Sequence, residues 1–87
     1  MITVETIDER TYNVSVTAAT STSHTVTVEP DYAAKLCAGR ASTERLLEAS
    51  FEFLLEREPN TSILRSFALP VIGQYFPEYE STIATKL

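Results

Sequence analysis

The hydrophobic period of this chain changes once, at Glu29-Pro30-Asp31, and that change confines it to an α+β fold. Upstream, β-branched residues alternate with polar ones in three short runs, residues 2–7, 11–17 and 24–28. Alternation with period two sends successive side chains to opposite faces of a strand. Ile2, Val4, Tyr12, Val14, Val16, Val26 and Val28 therefore share a core face, and Thr3, Glu5, Asn13, Ser15, Thr17, Thr25 and Thr27 a wet one. Asp8-Glu9-Arg10 joins the first two runs at hairpin length, and Ala18 to Ser23 is a small, polar link to the third. A three-stranded antiparallel sheet is the expectation.

Downstream the signals are helical. Pro30 stops the third strand because it cannot donate to a ladder, and Asp31 is the expected N-cap of a short helix over 32–38 that Gly39 ends. Ser42 or Thr43 then caps a longer helix over 43–58, terminated by Pro59-Asn60. Its apolar positions include Leu46, Leu47, Phe51, Phe53, Leu54 and Leu55, a stripe too wide for one contact. Leu47, Phe51, Leu54 and Leu55 are expected on the sheet. Leu46 and Phe53 point elsewhere, toward the C-terminal segment or the interface of a dimer. Residues 62–67, 69–76 and 77–85 read as short helices punctuated by proline, too apolar to stay unpacked.

At 87 residues the chain supports a single domain over 1–87, and such a domain buries only about 60 to 65% of its unfolded surface. One cysteine rules out an internal disulfide, and no Cys/His cluster offers a structural zinc. Self-association is the remaining way to bury more apolar surface, so a homodimer is expected. A net charge of −5 repels polyanions, which argues against nucleic acid and anionic lipid as partners. With no basic leader and no apolar run of membrane length, the reading is a cytoplasmic protein without a membrane span.

Catalytic chemistry needs convergent polar groups, and the supply is poor. His24 is the only histidine and Cys37 the only cysteine, so a nucleophilic triad would have to pass through His24, expected to be solvated beside Ser23. Cys37 reads as a buried small hydrophobe. Gly39 and Gly73 make no phosphate-cradling loop. A non-enzymatic protein-interaction domain without metal or cofactor is the expectation. Glu44, Glu48, Glu52 and Glu56 recur at i,i+4 along the long helix. They form either its solvated outer face or a docking surface for a basic protein partner. Phe67, Tyr75, Phe76 and Tyr79 crowd the C-terminal third and are expected to serve packing.

Residues 24–57 resemble the ribbon-helix-helix family of DNA-binding repressors and antitoxins. Thr25-Val26-Thr27-Val28 stands as the ribbon, Asp31 to Ala38 as the first helix, and Gly39-Arg40-Ala41-Ser42 leads into the second. The resemblance implies a ribbon paired with its twin in a dimer, Thr25 and Thr27 facing bases, and Arg40, Ser42 and Thr43 holding a phosphate. It departs from the family in having two strands before the ribbon, no basic ribbon side chains, and an acidic second helix. Separately, Ser50-Phe51-Glu52-Phe53-Leu54-Leu55-Glu56-Arg57-Glu58-Pro59 with Tyr75-Phe76-Pro77-Glu78-Tyr79-Glu80 resembles a family of small bacterial proteins to which no activity is assigned. That likeness implies only that the C-terminal third is integral to the fold.

Overall fold

Asp8 shapes the turn of the first hairpin: its Oδ1 accepts from the backbone N–H of Arg10 at 2.9 Å and of Thr11 at 2.8 Å, where the chain reverses. In this computed structural model, which describes residues 1–87, strands β1 (Ile2–Thr6), β2 (Thr11–Val16) and β3 (Thr22–Thr27) pair antiparallel in sequence order. The expected faces are correct. Val14, Val16, Val26 and Val28 are buried, while Thr25 and Thr27 are exposed.

Helix α1 (Pro30–Cys37) starts two residues earlier than expected, with Pro30 at N1 and Glu29, not Asp31, at the cap position. It ends on Ala38 at φ 49°, followed by Gly39 at φ 75°. Helix α2 (Thr43–Leu55) is capped by Ser42, whose Oγ accepts from the Arg45 N–H at 3.1 Å. It is shorter than the expected 43–58 because its ladder gives way to turns over Glu56–Glu58.

The sheet has a fourth strand that the expected antiparallel trio lacked. After a 3₁₀ turn (Asn60–Ser62), β4 (Ser66–Ala68) pairs parallel with β3 in the register Thr25↔Ser66 to Thr27↔Ala68. The sheet is therefore mixed, in the order β1-β2-β3-β4. Residues 62–67 read as helical because three residues of strand are too short to show alternation, and a parallel pairing is set by the crossover through α1 and α2. Helices α3 (Val71–Tyr75) and α4 (Tyr79–Lys86) complete the chain.

Helix α2 lies between the sheet and α4. Toward the sheet, Phe51 meets His24 and Phe67, with ring centroids 5.3 and 6.2 Å away. Toward the C-terminal segment, Phe53 stands edge-on to Phe76 and Tyr79 at 5.8 and 5.3 Å. Leu46 and Phe53 are fully buried inside the chain itself, so the dimer interface expected of them does not exist in this packing. The wide stripe is used up by two layers of the same molecule. The core is one contiguous cluster of 19 buried apolar residues.

Candidate functional site

The segment after α2 is held by a buried polar chain that starts at Asn60. Its Nδ2 donates to the Thr20 carbonyl at 2.7 Å and to Thr22 Oγ1 at 2.9 Å. Thr22 Oγ1 meets His24 Nε2 at 2.9 Å, and His24 Nδ1 donates to the Leu64 carbonyl at 2.8 Å. A carbonyl only accepts, so the ring proton on Nδ1 is assigned by its partner. His24 is thus not the solvated residue expected: it is 1% exposed, with both ring nitrogens engaged. The period that sends Val26 and Val28 inward sends His24 inward as well. Sealed in this way, it offers no proton to a substrate.

With the Leu64 carbonyl bound inward, its side chain stands 48% exposed. β4 follows, then Pro70 opens α3 and Tyr75 emerges at its end, 67% exposed. Between the C-terminal end of α2, β4 and α3 lies an open groove of about 240 Å³. Leu54, Phe67, Val71 and Phe76 line it, Leu64 and Tyr75 border it, and Glu58 is its single charged residue. Leu64 and Tyr75 are two of the four large apolar side chains that the fold leaves exposed. Tyr75 is expected to serve packing and Leu64 lies in a segment too apolar to stay unpacked, since a lone exposed position within an apolar segment has no signature in the pattern.

The acidic stripe is occupied internally. Glu44 Oε2 accepts from Thr6 Oγ1 at 2.9 Å. Arg45 pairs with Glu48 at 2.6 Å and with Glu52 at 3.7 Å. Glu56 pairs with Arg57 at 3.3 Å and with Lys86 at 3.6 Å. Surface pairs of this kind contribute little to stability, but those at Glu48, Glu52 and Glu56 offset part of the field a basic partner would feel, while Glu44 has only the neutral Thr6 hydroxyl.

Residues implied by the ribbon-helix-helix resemblance fall into two groups. Arg40, Ser42 and Thr43 gather at the start of α2, in the helical layer, where the Ser42 hydroxyl is already engaged as the cap. Thr25 and Thr27 emerge from the opposite face of the sheet. Both edges of β3 are occupied by β2 and β4, so no edge of it is free to pair with a twin.

Two further groups of reactive side chains are structural in their geometry. Cys37 is buried with its Sγ 3.6 Å from the Ser42 carbonyl, and burial pushes its thiol pKa up, away from thiolate chemistry. Tyr32 donates to Glu80 at 2.8 Å, joining α1 to α4, and Lys35 lies 3.3 Å from the same carboxylate. The Tyr32 hydrogen bond, then Lys35, hold the Glu80 carboxyl below its ordinary range. No helix is long and apolar enough to cross a membrane. Comparison with known protein families, with curated proteins and with solved structures finds no match.

Proposed function

We propose that this chain is a non-enzymatic protein-interaction domain whose groove takes an apolar anchor from a basic, amphipathic segment of a partner protein. The observation that carries the proposal is the groove bordered by exposed Leu64 and Tyr75. Its volume of about 240 Å³ falls below the roughly 300 to 1,000 Å³ of small-molecule sites, and it lacks the convergent polar groups that orient a substrate. One or two large side chains would fill it. An exposed aromatic beside an apolar slot is the composition that protein interfaces favour. Glu58 at the groove and the net charge of −5 select for a positively charged flank on that segment.

The test uses the ¹⁵N-labelled chain and two peptides, each with a Leu or Phe anchor, one flanked by lysines and one by glutamates. The lysine peptide is expected to shift the amide signals of Leu64, Phe67 and Tyr75, and Leu64→Asp to abolish those shifts. Shifts scattered away from the groove, or equal binding of both peptides, would refute the reading.

A further inference from the structure

β1 forms one edge of the sheet, and Glu5 is its single charged residue. Its register with β2 runs unbroken from Ile2↔Val16 to Thr6↔Tyr12, without bulge, proline or lysine. The opposite edge, β4, is three residues long and soon followed by Pro70. Backbone bonds extend the β1 ladder at both ends, between Met1 and Thr17 and from the Ile7 N–H to the Thr11 carbonyl. By alternation, Met1, Thr3, Glu5 and Ile7 bond to β2, so Ile2, Val4 and Thr6 turn their N–H and C=O groups outward. Met1 and Ile7, which flank this edge, are 86% and 56% exposed and are the other two large apolar side chains left in solvent.

We infer that β1 pairs antiparallel with β1 of a second copy, in the register that sets Val4 opposite Val4. The inference uses a surface remote from the groove and stands or falls separately from the proposed function. In this register Ile2 lies opposite Thr6 of the second copy, and all the outward backbone groups of residues 2–6 find partners. Met1 comes to lie opposite Ile7, which removes the exposed apolar ends from water. Glu5 lies opposite Thr3. Sliding the copies one outward pair toward Thr6 would set Glu5 against Glu5, a like-charge contact. Sliding them the other way would set Met1 opposite Glu5 and part it from Ile7. The result is an eight-stranded sheet with β4 at both outer edges, built from two four-stranded ones.

A seam of this length belongs with small, weak interfaces. Glu44, bound to Thr6, places the head of the α2 acidic stripe beside it, and each copy carries −5, so association strengthens as salt screens the repulsion.

Light scattering on the full chain, from micromolar to millimolar and at low and high salt, reads the mass directly. The expected result is a mass rising toward twice that of the monomer, more steeply at high salt. Thr3 is exposed and faces Ser15 within its own chain, so charge placed there spares the fold. Thr3→Lys is expected to tighten the dimer and Thr3→Glu to weaken it, each by about 2- to 30-fold for the two symmetric Thr3/Glu5 pairs. Val4→Pro, which removes an outward N–H, is expected to leave a monomer. A monomer at millimolar concentration and high salt, or a dimer indifferent to all three substitutions, would overturn the inference.

Discussion

The Ser50 and Tyr79 hydroxyls meet at 2.6 Å in the interior of the molecule, and their geometry dictates an unusual double-mutant outcome. Ser50 Oγ also lies 2.7 Å from the Leu46 carbonyl, which only accepts, so the single Ser50 proton is committed there. Tyr79 must therefore be the donor to Ser50. The phenol is fully buried, and burial raises its pKa, keeping it a donor across the neutral range. Tyr79→Phe in the native background removes one neutral hydrogen bond and leaves Ser50 still bonded to Leu46, a loss of about 1 kcal/mol. Ser50→Ala instead strands the Tyr79 hydroxyl without an acceptor, at a cost of about 1 to 3 kcal/mol, reduced by roughly 0.5 kcal/mol of helix propensity. Adding Tyr79→Phe to Ser50→Ala then removes the stranded group and should recover about 1 kcal/mol. The same substitution is thus expected to destabilise one background and stabilise the other. Urea unfolding followed by far-ultraviolet circular dichroism on the four proteins measures this, and thermal midpoints should differ by about 4 to 8 °C per kcal/mol. If Tyr79→Phe lowers stability equally in both backgrounds, the assignment of donor and acceptor is wrong.

Other outcomes follow from single features of the fold. Ala38 ends α1 at φ 49°, a left-handed conformation that costs a side chain about 1 to 2 kcal/mol, so Ala38→Gly should raise stability by about 0.5 kcal/mol after the entropy of glycine is subtracted, measured by urea midpoint. Glu80 has its folded pKa depressed by Tyr32 and Lys35. Its contribution is therefore present above its ordinary value of 4.5 and lost as pH falls through the lower folded value. Glu80→Gln should flatten that part of the acid stability profile while leaving the profile between pH 6 and 8 parallel to the native one, a comparison made by thermal melts across pH.

Much of the candidate site could not be read from the chain because it depends on exposure created by packing. Leu64 is apolar in an apolar segment, yet its side chain stands exposed while its carbonyl is held by the buried His24. Phe53 shows the converse: the pattern marks it as surplus to the sheet, bound for the C-terminal segment or a second subunit, and of these the C-terminal segment supplies the contact. His24 carries the parity of Val26 and Val28, so period places it in the core where its polar residue type suggests solvent.

What the sequence by itself determined is the local layer of this protein: three strands with the correct inward faces, the Ser42 cap and the helix behind it, and a C-terminal third too apolar to stand free. These follow from interactions between residues a few positions apart, which period and capping chemistry express directly. Tertiary structure alone decided that Ser66–Ala68 joins the sheet parallel to β3, that Leu46 and Phe53 are buried within the one chain, Phe53 against Tyr79 of α4, and that β1 and the Leu64–Tyr75 groove remain open. Those outcomes rest on contacts between residues 40 or so positions apart, such as His24 with Leu64 and Val26 with Phe67, whose partners no local pattern can name.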